Sequence, residues 1–312
     1  MRSTIRRKSF GQYFKENYAL YLMCIPGLIY VIGYKFLPLI GLQLAFKKYN
    51  MFAGNGLLDS MFKSPWVGLM YFEKIFKSDE FWQLLSNTVT ISVLKMVILF
   101  PVPIVLAILM NEMQSLRFKR SVQTLIYLPH FLSWVIIHGI FSTLLSNSGV
   151  LNTFLVSVGL PRISLYTDPE LFRPLLIFTE GWKESGWGAI VYLAALTAID
   201  PQLYEAATVD GANRFQRMWH VTLPGIVPVV SLMLLLRVGG ILAAGTEQIL
   251  VMYNPAVYSV SDVLQTYIYR VSLGKLDFST GTAMGLFESI VGFLLTVSCN
   301  GLSKKFFGRS LW

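Results

Sequence analysis

An all-α, polytopic membrane fold of about six transmembrane helices is predicted by three features of the sequence. Of 312 residues, 54% are hydrophobic and only 14% charged, with mean hydropathy +0.56, more apolar side chain than a water-soluble fold of this size hides. The apolar residues lie in long runs rather than in short alternating stretches, which selects helices over a barrel as the way to satisfy the backbone in hydrocarbon. The basic residues behind the net charge of +9 cluster beside those runs, as in Arg2, Arg6, Arg7, Lys8 and again in Arg117, Lys119, Arg120. That pattern orients a membrane protein rather than marking a nucleic-acid binder.

A helix needs roughly 20 mostly apolar residues to cross the bilayer, and the runs predict spans over 18–46, 87–110, 122–145, 171–199, 225–244 and 281–302. The first resembles a signal peptide in following a basic N-terminus, but it runs too far and lacks a small-residue cleavage pattern, so it is read as a retained span. Six spans place both termini on one side. With that side cytoplasmic, the inside segments carry thirteen Lys and Arg residues and the longer outside loops nine, the bias expected for N-in and C-in. The predicted organisation is a cytoplasmic segment 1–17, a transmembrane domain 18–303 and a cytoplasmic tail 304–312.

Outside the spans, 150–160 carries Leu151, Phe154, Leu155 and Val158 at helical spacing, as in a short helix along the outer interface. The polar, Tyr-rich 247–280 either lines a mouth, touches an external partner or forms an aromatic interfacial belt. Cys24 and Cys299 lie in apolar segments, and His130, His138 and His220 lack metal-site spacing, so neither a disulfide framework nor a metal is expected.

The stretch 200–224 is the most informative. Asp200 is a good N-cap and Pro201 a good first helical residue. Glu205, Ala206 and Ala207 continue the helix, and Gly211 can take the left-handed conformation that ends it. A second short helix follows with Phe215 and Trp219 on one face, before Pro224 opens the next span. Two capped helices exceed what a connection between spans requires; packing on the bundle and docking to another protein both account for them.

The spacing Glu205-Ala206-Ala207, three residues, Gly211, nine residues, Val221, one residue, Leu223-Pro224 resembles the EAA motif of binding-protein-dependent ABC importer permeases. Asp210-Gly211-Ala212 matches the extended form of the sugar permeases, with Val221 where Ile is commoner and Trp219 where Phe is. The resemblance extends to Trp66-Val-Gly-Leu-Met-Tyr-Phe72, Phe81-Trp82 and Tyr127-Leu-Pro129, similar to maltose-type carbohydrate permeases, and to the ending Gly308-Arg-Ser-Leu-Trp312, similar to polysaccharide-type members. It implies a type I ABC importer permease fold in the bacterial cytoplasmic (inner) membrane. The implied partners are a second permease, in a heterodimer, two cytoplasmic ABC ATPases and an extracytoplasmic solute-binding protein. It also implies that Glu205, Ala206, Ala207, Asp210, Gly211, Ala212 and Arg214 belong to a coupling helix seated on an ATPase, with Glu205 offering its carboxylate to a basic residue there. The chain has no phosphate-binding Gly-x-x-x-x-Gly-Lys-Ser/Thr loop, so ATP and Mg belong to the partner ATPases. This chain is expected to bind no cofactor and to catalyse nothing itself. A secondary transporter of a small polar solute is the competing class, but it would carry a coupling-ion site and often an inverted repeat, and the two halves show none.

Ionisable groups inside a span need a partner, water or a route to the interface. Lys35, Lys95, Glu180, Lys183, Glu184, Arg237 and Glu288 are the ones to explain. Lys35 is placed to snorkel. Glu180, Lys183 and Glu184 share a helical face, so they either neutralise one another or, with Trp182 and Trp187, wall a cavity suited to a sugar; the similarity to polysaccharide-type members implies an oligosaccharide, and Lys183 and Arg237 allow an acidic one. Arg237 and Glu288 are either an interhelical pair or pathway-lining groups. Gly181, Gly186 and Gly188 each lower helix propensity by roughly 1 kcal/mol relative to Ala, so the fourth span is expected to unwind there.

Overall fold

The computed structural model describes residues 14–307; the basic cluster Arg2, Arg6, Arg7, Lys8 and the ending 308–312 lie outside the described residues. The architecture is a helical bundle with one small cap, 47–78 plus 146–168 and 253–277, at one end and the loop 200–224 at the other. Five stretches among the described residues are long and apolar enough to cross a bilayer: Tyr18–Phe46, Asp79–Asn111, Trp134–Ser157, Arg214–Gly239 and Phe278–Gly301. The sixth predicted span is also a helix, Pro169–Thr197 of 29 residues, but Glu170, Arg173, Glu180, Lys183 and Glu184 make it too charged to qualify on composition.

The first span starts as α1 (Tyr18–Val31), loosens into a π turn over Ile32–Phe36 and tightens into a 3-10 segment over Leu37–Phe46. Pro38 lacks the N–H that a regular ladder needs at that point. Beyond it, α2 (Leu57–Lys63) and α3 (Met70–Phe76) sit in the cap, where the Lys47 ammonium donates to the carbonyls of Met61 and Phe62 at the end of α2. The second span is α4 (Asp79–Leu99) continued by α5 (Pro101–Asn111), eight residues earlier at its start than the hydropathy of 87–110 suggested. Asp79 and Glu80 occupy its first turn, where the helix dipole favours them.

The third span departs from expectation. Helix α6 (Leu116–Tyr127), capped by Ser115, gives way at Pro129 to a 3-10 turn over Leu128–Phe131, and Ser133 caps a new helix, α7 (Trp134–Leu145). The short helix expected over 150–160 appears as α8 (Val150–Ser157). The fourth span, α9 (Pro169–Thr197), was expected to unwind at its glycines and does not. A Cβ at Gly186 would stand 2.0 Å from the Ile126 carbonyl oxygen of α6, so its bare Cα is what lets the two backbones touch. Tertiary packing outweighs the local propensity cost.

The 200–224 loop holds α10 (Pro201–Val209) and α11 (Arg214–Arg217). A π turn over Met218–Thr222 leads into α12 (Leu223–Gly239). The fifth span, expected to reach 244, ends at Gly239; 240–245 is an irregular break in which Ala244 and Gly245 both have positive φ, 51° and 77°. The predicted polar loop 247–280 is mostly helical: α13 (Thr246–Met252), α14 (Tyr258–Ser261) and α15 (Leu264–Tyr269) fold back over the cap before α16 (Phe278–Phe307) forms the last span. There Arg270 bonds Asp262 at 2.6 Å and lies over the rings of Tyr258 and Tyr267. Burial and the neighbouring Glu80 carboxylate push the Tyr267 phenol up to about 12, and burial does the same for Tyr166.

Helix α9 organises the core. Its N-terminal half, Phe172, Leu175 and Leu176, packs with Ile91, Trp134, Ile137, Phe141, Ile249 and Met252. Its other half, Ala189, Tyr192 and Leu196, packs with Ala107, Ile108, Met110 and Ile226. A third cluster joins Ala45, Tyr71, Ile75, Phe81 and Leu84 to Leu264, Ala283 and Met284 of the last helices.

Candidate functional site

The loop 200–224 is built by local chemistry. The Asp200 carboxylate accepts from the Gln202 N–H at 2.9 Å and caps α10. At the other end Gly211 has φ of 79°, its N–H reaching the Thr208 carbonyl while the Ala212 N–H reaches that of Ala207. This pair of bonds is the Schellman closure that a left-handed residue makes possible. Asn213 and Gln216 then cap α11 reciprocally, at 2.8 and 2.9 Å, a capping box. Two side-chain bonds fix the helices to each other and to the next span: Arg217 to Thr208 at 2.9 Å, and Tyr204 to Thr222 at 3.1 Å.

This brace leaves a surface unused by the fold. Leu203, Val209, Phe215 and Trp219 are all more than half exposed, Val209 at 87%, and the Phe215 and Trp219 rings are stacked 6.4 Å apart. Glu205, Ala206, Asp210, Gly211 and Arg214 are exposed, while Ala207 and Ala212 are half-buried. Among the described residues Glu205 makes no ion pair. A rigid helix pair presenting a free carboxylate among exposed apolar side chains has the anatomy of a docking surface.

The second site lies between the spans. Glu180 of α9 is shared by two cations: Lys95 of the second span at 2.5 Å and Arg237 of the fifth at 3.2 Å. Lys95 also donates to the Ala244 carbonyl at 2.9 Å and to Gln248 at 2.7 Å, thereby closing the break 240–245, whose other edge is held by Ser92 bonding the Ile241 carbonyl. Gln248 in turn donates to the Leu176 carbonyl and the Thr179 hydroxyl. A cavity of about 300 Å³ opens beside this cluster, lined by Ser92, Lys95, Glu180, Arg237, Gly240 and Ala244 among others. A smaller one of about 210 Å³ shares Glu180 and Arg237 and is walled by Glu184 and Trp187.

The break in the third span is served in the same way. Lys183 donates to the carbonyls of His130 at 2.6 Å and Leu132 at 2.9 Å, groups that the 3-10 turn leaves without helical partners. Glu184 lies 3.4 Å from Lys183 and 2.8 Å from the His130 ring, and Trp187 stacks on that ring at 4.5 Å.

The residues singled out from the sequence therefore separate. Glu184 and Trp187 line the smaller cavity, and Glu180 and Arg237 line both. Lys183 points away into the break of the third span. Trp182 stands in a different, apolar groove with Ile98, Leu99 and Phe178, edge-on to Phe141. Glu288 does not pair with Arg237; it accepts from Gln265 at 2.6 Å, which in turn bonds Thr246. Lys95 and Gln248 belong to the site and were not assigned to it. A lysine within an apolar run and the small-residue run Gly239-Gly240 to Ala244-Gly245 were the available signals. Lys35 is exposed on the first span.

Residues 99–307 match the family described as binding-protein-dependent transport system inner membrane component. The chain is 42% identical to protein LplB of Bacillus subtilis (strain 168) over 94% of this chain and 90% of that protein. It is also 42% identical to the polygalacturonan/rhamnogalacturonan transport system permease protein YteP of the same organism, over 96% and 92%. Among solved structures it resembles a chain of the bacterial alginate ABC transporter in complex with an alginate pentasaccharide-bound periplasmic protein, with TM-score 0.88, 38% identity and coverage of 97% and 100%. Family match, near-full-length relatives and the braced, exposed helix pair agree: this chain belongs to the binding-protein-dependent ABC importer permeases, as a membrane-embedded, non-catalytic subunit.

Proposed function

We propose that the chain is the permease through which an acidic oligosaccharide crosses the cytoplasmic membrane, with residues 1–17, the loop 200–224 and residues 304–312 on the cytoplasmic side of the domain 18–303. The basic bias of the segments at that end supports the orientation. The single observation that carries the substrate reading is the smaller cavity, where an exposed Trp187 face, the Arg237 guanidinium and the Glu180 and Glu184 carboxylates meet within a bundle of apolar spans. Sugars offer apolar ring faces to aromatic rings and hydroxyls to polar groups. The names of the relatives, a polygalacturonan/rhamnogalacturonan system and an alginate transporter, agree with an acidic glycan. A second permease, in a heterodimer, faces spans four to six, where the intramembrane charges Glu180, Arg237 and Glu288 lie. One of the two ATPases docks on Glu205, Ala206, Ala207, Asp210, Gly211, Ala212 and Arg214, and closure of the ATPase pair rocks the spans.

Reconstituted alone in liposomes, the chain is expected to move no oligosaccharide; adding the second permease, the ATPases with Mg-ATP and the binding protein starts uptake. Unaided movement by the chain alone would identify a secondary transporter or channel instead. Within the complete system Trp187→Ala is expected to lower uptake by about three- to tenfold, the range of one aromatic contact. Trp182→Ala, which alters the apolar groove, leaves the concentration dependence on sugar unchanged. Equal effects of the two on that dependence would remove Trp187 from the sugar path.

A further inference from the structure

We infer that Arg237 is the carboxylate-reading residue of the cavity and makes this permease prefer a uronate to the same sugar uncharged, an inference that rests on the oligosaccharide reading above.

The argument begins with a count of donors. Three cations lie near the two cavities, and an ammonium has three N–H groups while a guanidinium has five. Lys95 directs its ammonium at Ala244, Gln248 and Glu180. Lys183 directs its own at two carbonyls and Glu184. Both are buried, at 3% and 6% exposure, so neither has a donor for a passing solute. Arg237 differs on both points. Among the described residues its one hydrogen bond is to Glu180, and its side chain is 37% exposed and lines both cavities.

Charge points the same way. Lys95, Lys183 and Arg237 face Glu180 and Glu184, which leaves one positive charge uncompensated. Glu247 and Glu288 line neither cavity, and Glu288 is engaged by Gln265. Because Glu180 is divided between Lys95 and Arg237, it holds the guanidinium in place without neutralising it. A guanidinium held at one corner presents its remaining N–H edge to a carboxylate, which accepts two parallel hydrogen bonds in that geometry. Trp187 completes the arrangement. One of its faces is covered by His130, and its 42% exposure leaves surface for a pyranose ring on the cavity that Arg237 also lines.

The test uses the complete importer in liposomes with its own binding protein, supplied with an oligogalacturonate tetramer or with its methyl ester, which removes the charge and adds one methyl group per carboxyl. Any preference of the binding protein enters wild type and variant alike and cancels in the ratio. Arg237→Gln is expected to lower uptake of the acid relative to the ester by about tenfold, and Arg237→Lys, which keeps the charge but loses the fork, by an intermediate factor. Arg237→Lys keeps Glu180 paired, so it carries the comparison if the Gln variant does not assemble. Loss of both sugars by the same factor in an assembled complex overturns the role of Arg237 and leaves the oligosaccharide reading standing. A wild-type complex that moves the ester but not the acid overturns the acidic substrate class. A wild type that moves neither overturns the oligosaccharide reading itself, and needs no variant to be recognised.

Discussion

Glu205→Lys is expected to leave the protein in the membrane, folded, while uptake by the complete importer falls at least about tenfold and the ATPase no longer co-purifies. The carboxylate is exposed and makes no ion pair within the chain among the described residues, so the fold loses nothing when it is reversed. What changes is the contact offered to the partner, where a hydrogen bond to a charged group contributes about 1.5–3 kcal/mol and reversal adds repulsion. Gly211→Pro attacks the same surface through the backbone. At φ of 79° a proline ring cannot be accommodated, and the Gly211 N–H bond to Thr208 is lost with it, so the two helices are no longer held at one angle. Gly211→Ala separates the two effects. A Cβ there meets nothing within 4 Å, which leaves only the left-handed strain of about 1–2 kcal/mol, and a partial loss of coupling is expected. Full uptake with retained ATPase binding in the Glu205→Lys protein would show that the loop is not the docking surface.

The two helices of the loop were legible because the devices that start and stop them are local. Asp200 caps its own helix and Gly211 closes it, whereas the Asn213–Gln216 capping box and the longer braces from Arg217 to Thr208 and from Tyr204 to Thr222 were not named from the sequence. The spans were legible for a related reason, since length and apolarity are properties of consecutive residues. The cavity was only half legible. Lys95, Glu180 and Arg237 each announced a cost, but which of them meet depends on how helices far apart in sequence pack, and no periodicity encodes that. Arg237 and Glu288 were thus left as either a pair or pathway-lining groups, whereas Arg237 pairs with Glu180 at the cavity wall. The glycines of the fourth span misled for a physical reason: their propensity cost is local, whereas their use, letting the Ile126 carbonyl approach Gly186, is tertiary. The breaks fell at Pro129 and at 240–245 instead, each with a lysine donating into the carbonyls it frees.

Lys95→Met should therefore be the most destabilising single change in the transmembrane domain. It preserves the length and apolar stem of the side chain but removes the ammonium from Glu180, Ala244 and Gln248 at once. Glu180, 14% exposed, keeps only the more distant Arg237, and the Ala244 carbonyl in the break of the fifth span loses its donor. Removing one member of a buried pair in this way typically costs about 3–5 kcal/mol, because a charge is left without its partner. The double variant Lys95→Met with Glu180→Gln removes the uncompensated carboxylate as well, so it should recover a large part of that loss, as paired replacement of buried ions generally does. The measurement is the thermal midpoint and the yield of folded chain in the purified complex for the two single variants and the double. Additive effects would show that Lys95 and Glu180 act independently and that the short contact between them carries little energy. Recovery of stability without recovery of uptake is the expected outcome, because the double variant restores the packing of spans two, four and five yet leaves Arg237 without the carboxylate that holds it at the cavity wall.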